Sequence, residues 1–304
     1  MTTTVSKAAL FSDSRDAVGE SPVWSVAEQA LYWVDIEGQR LHRQDWQTRS
    51  RQTWQLQERV GCIALSDRGT VIAAMESGVF EVRLLTAPDV AVEQLASINH
   101  PESDMRFNDG RCDASGRFWI STMVRNMGLS SKAGGIYCLD ERGLQGPVKK
   151  GFITANGMAF SPDNRTAYLS DSHPSEQKIY KHDFVLESGN WGPAELLVDM
   201  KPLPGRPDGA AMDTQGCYWI CGNDAGQVHR FSRHGDLLES IHVPMSKPSM
   251  CCFGGPELRH LLVTSIRPPI PVDGFDATFD GAVVVLDPGV QGLPEPLFSR
   301  FPVR

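Results

Sequence analysis

Four side chains with hard oxygen donors stand at matching places in this chain. They are Glu20 in Gly19-Glu20-Ser21-Pro22, Asn108 in Arg106-Phe107-Asn108-Asp109-Gly110, Asn156 in Ala155-Asn156-Gly157 and Asp208 in Pro207-Asp208-Gly209. Each lies 11–13 residues ahead of the centre of a short apolar strand pattern, with a one-residue ambiguity between Asn108 and Asp109. Two carboxylates and two carboxamides, with no Cys or His among them, suit Ca²⁺, Mg²⁺ or Mn²⁺ better than a closed structural Zn²⁺ site. Zinc still fits an open catalytic site that keeps a water. Taken singly, Asn108, Asn156 and Asp208 read as turn residues, because Asn and Asp beside Gly favour turns. Glu20 is not a turn former, and the four together at equivalent places point to a metal or substrate site. Arg106 precedes Asn108 by two residues, so on a strand the two share a face.

The elements that must hold these residues repeat. The pattern of a polar turn followed by an alternating apolar strand centres on residues 33, 72, 119, 168, 219 and 262, at spacings of 39, 47, 49, 51 and 43. Turns such as Asp113-Ala114-Ser115-Gly116 and Asp213-Thr214-Gln215-Gly216 precede the strands, and a further strand follows each (Gly135–Cys138, Gln227–Arg230). Short period-2 strands without a long amphipathic helix argue for an all-β fold. A unit of ~40–50 residues with about four strands is the signature of a propeller blade. Residues 1–304 are therefore expected to form a single six-bladed β-propeller domain with a central metal site. The ends near Ala8–Ser12 and Pro296–Arg300 are expected to supply outer strands that close the ring. The other two ring positions hold Val60 and Ser249 or Met250. The long loops Val124–Gly134 and Ile266–Gly281 are expected to flank the site.

Composition excludes several classes. A net charge of −8 without a basic run disfavours nucleic acid. No apolar stretch reaches the ~18 residues that span a bilayer, and no signal pattern opens the chain. Seven scattered Cys without a CxxC pair suit a reducing, cytoplasmic compartment. There is no GxSxG elbow for a serine hydrolase. His42, His182, His229 and His260 read as surface or strand-face residues, Trp33, Trp119, Tyr168 and Trp219 as blade packing, and Cys112 and Cys217 as core filler.

The motifs Gly19–Trp24, Arg106–Gly110, Ser121-Thr122-Met123, Asn156–Asp163, Pro207-Asp208-Gly209 and Cys252–Gly255 together resemble the senescence-marker-protein/gluconolactonase family. That resemblance implies one axial divalent cation (Ca, Zn, Mg, Mn or Fe) held by Glu20, Asn156 and Asp208. It implies substrate contacts from Arg106 and Asn108, and hydrolysis of a small-molecule sugar lactone. Two positions depart from the family pattern. Ser21 replaces the usual Gly, which should leave ligation intact. Asn126 stands where the regucalcin branch has a substrate-contacting Glu, which bears on the sugar recognised. Asp208 is the candidate general base. The alternatives are another metal-dependent ester or organophosphate hydrolase on the same propeller, and a non-enzymatic Ca²⁺-binding propeller.

Overall fold

The computed structural model describes residues 3–4 and 8–300. Every apolar centre read from the sequence lies in a strand, and the strands assemble into six antiparallel sheets in meander order. The innermost strands are Gly19–Ser25, Val60–Leu65, Met105–Cys112, Ala155–Phe160, Arg206–Met212 and Pro248–Gly254, here the inner strands of blades I to VI. Each inner strand packs on the next, and the sixth returns to the first, closing a ring about a central channel. Closure is made by the amino-terminal strand Ala9–Ser12. It pairs antiparallel with Val283–Leu286 as the outer strand of blade VI, as expected. Thr3–Thr4 adds a short parallel strand outside blade V.

The carboxy-terminal end does something different from the expectation. Among the described residues, Pro296–Arg300 forms no outer strand. Phe298 makes a parallel bridge to Ser66, and Ser299 N donates to Gly116 O. Gly292 bridges Asp213 upstream. The segment thus runs across the face where inner strands turn into second strands, and Glu295 pairs there with the buried Arg111. Apolar Phe298, only 4% exposed, makes this tail a cover for the channel floor instead of an edge strand.

The hydrophobic core is divided between the blades. One buried cluster fills each of the six seams, for example Tyr32, Val34 and Trp54 of blade I against Ile63, Val71 and Met75 of blade II. Burying each such side chain is worth about 1.5–3 kcal/mol. Trp33, Trp119 and Trp219 are among the most deeply buried, and each indole N–H has a carboxylate: Asp16 at 2.8 Å, Asp113 at 2.8 Å and Asp213 at 2.9 Å. His42, His182 and His229 lie on strand faces but are buried, not at the surface. Each is hydrogen-bonded, to Thr53, Gly192 O and Ser240 respectively. All seven Cys are buried and unpaired.

Candidate functional site at the channel mouth

Every inner strand carries a register shift near the end where it enters the channel. In blade IV the pairing passes from Asn156 with Ser170 to Ala159 with Tyr168, so one extra residue sits on the inner strand. Comparable shifts occur in the other five blades. A bulge of this kind frees a backbone N–H and re-aims a side chain. Backbone chemistry permits it: Gly157 has φ +61°, and a Cβ there would lie 2.5 Å from the Tyr218 hydroxyl. Gly209 likewise leaves room for Met250, which a Cβ would meet at 2.3 Å.

The bulges bring four of the expected residues to one place. Asn156 is 5% and Asp208 7% exposed. The Asn156 amide donates to Asp208 Oδ1 and, at 3.1 Å, to Ser172 Oγ. Asn108 Nδ2 donates to Ala155 O at 3.0 Å, and Arg106 Nη1 donates to Asn108 Oδ1 at 2.7 Å. Glu20 is half-buried, and Ser21 N donates to its Oε2 at 3.2 Å. The Glu20 carboxyl is held well above the carboxylate range, first by burial, then by the charges of Asp208 and Asp109. Asp208 is also pushed up, mainly by burial, against the pull of Arg206 and Asn223.

The ambiguity between Asn108 and Asp109 resolves into two roles. Asn108 faces its neighbours at the mouth. Asp109 lies behind it, 5% exposed, accepting Gly110 N at 2.8 Å and Met158 N of blade IV at 2.7 Å. Burial raises the Asp109 carboxyl to about 6. The remaining ring places are silent. Val60 is apolar and fully buried, and Ser249 spends its hydroxyl on Gly19 O and Thr264.

Asn126 is not drawn into this group. It lies in the loop that follows Phe118–Val124, on the mouth face, but it is exposed and its Oδ1 accepts from Gly128 N at 3.1 Å. Ser21 adopts φ +49°, a region that Gly takes more cheaply, and its hydroxyl accepts from Ile63 N of blade II at 2.9 Å. Three residues of the site escaped the sequence reading. Asn223 Nδ2 donates to Asp208 Oδ2 at 2.6 Å, Ser172 meets the Asn156 amide, and Arg206 donates to Ser172 O at 3.1 Å and pairs with Asp224. Arg206 had a signal, since it precedes Asp208 as Arg106 precedes Asn108. Asn223 ends the second strand of blade V and Ser172 follows that of blade IV, so neither stands at an inner-strand position.

The donor set fits a divalent cation. The Glu20 and Asp208 carboxyls resist ionisation because of desolvation and neighbouring carboxylate charge, from Asp208 and Asp109 on Glu20 and from Asp109 and Asp224 on Asp208, and a dication would relieve both effects. Asn223 Oδ1 is buried without a hydrogen-bond partner, an uncommitted hard donor beside Asp208. Among the described residues no three His, Cys, Asp or Glu side chains form a metal cage on their own. Amide oxygen from Asn156 would have to complete the set.

A closed six-bladed propeller with acidic and amide groups gathered at one mouth defines the class of this protein. The model of the SMP-30/gluconolactonase/LRE-like region matches residues 18–267, and the chain belongs to that family. It is 39% identical over 284 residues to a 6-deoxy-6-sulfogluconolactonase of Pseudomonas putida, covering 93% of this chain and 95% of the relative. It is 32% identical over 289 residues to a pentonolactonase of Haloferax volcanii, with the same coverage of 93% and 95%. Among solved structures, a calcium-binding regucalcin from Agrobacterium tumefaciens superposes with a TM-score of 0.88 at 24% identity, covering 98% of this chain and all of the other. That likeness speaks for the fold.

Proposed function

We propose that this protein is a sugar lactone lactonase that hydrolyses an aldonolactone to its aldonic acid with the help of one divalent cation. The observation that carries the reading is the convergence of Glu20, Asn156 and Asp208 at the channel mouth, with Asn223 turned toward Asp208. The substrate class is supported by the names of the relatives, a sulfogluconolactonase and a pentonolactonase. Calcium is supported by the name of the regucalcin neighbour; zinc, magnesium, manganese and iron suit the same donors less or more closely.

Glu20, Asn156 and Asp208 would hold the cation. When bound, it supplies Lewis-acid stabilisation of the charge that develops on the lactone carbonyl oxygen, worth several kcal/mol. The chain's own groups do the rest. Asp208 accepts a proton from the attacking water and returns it to the ring oxygen as the C–O bond breaks. Asn223 holds Asp208 Oδ2 and the Asn156 amide holds Oδ1, so the carboxyl plane is fixed at the mouth. Arg106 and Asn108, already bonded to one another, present guanidinium and amide groups to sugar hydroxyls and orient the ring. Asn126, at the rim, is the position proposed to tune which sugar is accepted.

Among the described residues no helix is long and apolar enough to cross a membrane. Seven unpaired buried Cys support a cytoplasmic, reducing setting. The test is pH-stat hydrolysis of a panel of aldonolactones, aryl esters and organophosphates with metal added back to chelated protein. Turnover confined to lactones is expected. Preference for esters or organophosphates would favour the other hydrolase reading, and no turnover with tight Ca²⁺ binding would favour a binding propeller.

A further inference from the structure

The blade IV bulge that presents Asn156 is gripped from both sides. On one side, the Asp109 carboxylate of blade III accepts the Met158 N–H at 2.7 Å. On the other, the Tyr218 hydroxyl of blade V donates to Gly157 O at 2.6 Å. Gly157 and Met158 are the two residues directly after Asn156, and the register shift between Asn156 and Ala159 leaves both outside the blade's own ladder. Tyr218 is fully buried and stacked on Tyr168, with ring centroids 5.1 Å apart and planes 26° apart. Its hydroxyl is therefore held by packing, not by chance orientation. Asp109 N in turn donates to Ser121 Oγ, which donates to Ala155 O, the carbonyl that also receives Asn108 Nδ2. The residues on both sides of Asn156 are thus tied to blades III and V.

A buried backbone group outside its ladder needs a partner, and a bulge with one extra residue has more than one way to lie. We propose that Asp109 and Tyr218 are positioning residues that clamp the bulge so that the Asn156 side chain is held ready for the cation. This rests on the metal-binding reading above. Groups that orient metal ligands without touching the metal usually matter 10–100-fold in affinity.

The test is calorimetric titration of Ca²⁺ and Mn²⁺ into chelated protein, with thermal melts alongside. Tyr218→Phe keeps the stacked ring and removes one hydroxyl. It is expected to weaken cation binding about ten-fold or more, with turnover regained at high metal concentration. Tyr168→Phe, which alters the other ring of the stack, is expected to bind as wild type. For the second clamp, Asp109→Ala is expected to weaken binding more than Asp109→Asn, because Asn keeps an acceptor for Met158 N–H. Wild-type affinity in folded Tyr218→Phe overturns the Tyr218 clamp. Equal weakening by Asp109→Ala and Asp109→Asn shows that the carboxylate acts through its charge and overturns the Asp109 clamp. Wild-type protein that binds neither ion removes the metal reading itself, a separate failure.

Discussion

The two ends of the channel use aspartate in opposite ways. On the floor side, Asp213 is fully buried and has four donors: Gln215 N, Cys217 N, Trp219 Nε1 and Arg230 Nε. Asp113 repeats the arrangement with Ser115 N, Arg117 N, Arg117 Nε and Trp119 Nε1. At the mouth, Asp208 is nearly as buried but receives only two amides, from Asn156 and Asn223, and its ionisation is opposed by its surroundings. These floor-side aspartates tie the turn to the strands within their own blade, and each has a guanidinium to answer its charge. The mouth holds charge in reserve. Proteins accept such local cost where function requires it, so the under-satisfied carboxyls mark the site more sharply than polarity alone.

The contrast breaks most visibly on deletion of each aspartate. Asp208→Ala is expected to reduce kcat/KM for an aldonolactone by ~10²–10⁴-fold or more, with a melting temperature equal to or above wild type. Asp213→Ala should do the reverse: it strands Arg230 and the Trp219 N–H and costs about 3–5 kcal/mol of stability, measured by denaturant unfolding, while cation affinity in the folded fraction stays unchanged. An Asp208→Ala protein that is active, or an Asp213→Ala protein of full stability, would dissolve the distinction between the two ends.

Proton linkage sharpens it. The Asp109 carboxyl lies at about 6 when folded, above its ordinary value near 3.8. A group raised on folding stabilises fully below its unfolded pKa, and that contribution is lost as pH rises through the folded one. Metal-free wild type should therefore lose ground to Asp109→Asn between pH 4 and 7, by up to about 3 kcal/mol at 1.36 kcal/mol per pH unit. Paired unfolding curves at several pH values measure this. Glu20 and Asp208, also raised, must shed protons to take a cation, so cation affinity should fall on acidification from pH 8 to 5 in calorimetric titrations. The smallest effect belongs to Ser21→Gly. It relieves a positive φ but forfeits the bond to Ile63 N, and stability should change by less than about 1 kcal/mol with metal affinity unaltered.

Much of this was legible in the sequence because propeller strands are short, alternating and regularly spaced, so six similar blades expose the positions that differ. Glu20, Asn156 and Asp208 stood out for that reason, and the strand Ala9–Ser12 was expected to close the ring. What stayed hidden depends on contacts between blades. Asn223 reaches Asp208 from the end of a second strand, Tyr218 reaches Gly157 across a seam, and neither contact has a fixed sequence spacing. Nor did composition distinguish an edge strand from a floor for the segment around Phe298; only the ring's geometry does.

Metal dependence is read from the initial rate of aldonolactone hydrolysis by wild-type protein, measured before chelation, after chelation and after stepwise return of a divalent cation. The rate is expected to fall to background on chelation and to recover in a saturable way with about one cation per chain, as three ligands at one mouth require. A chelated protein that hydrolyses the lactone at its original rate would contradict that dependence.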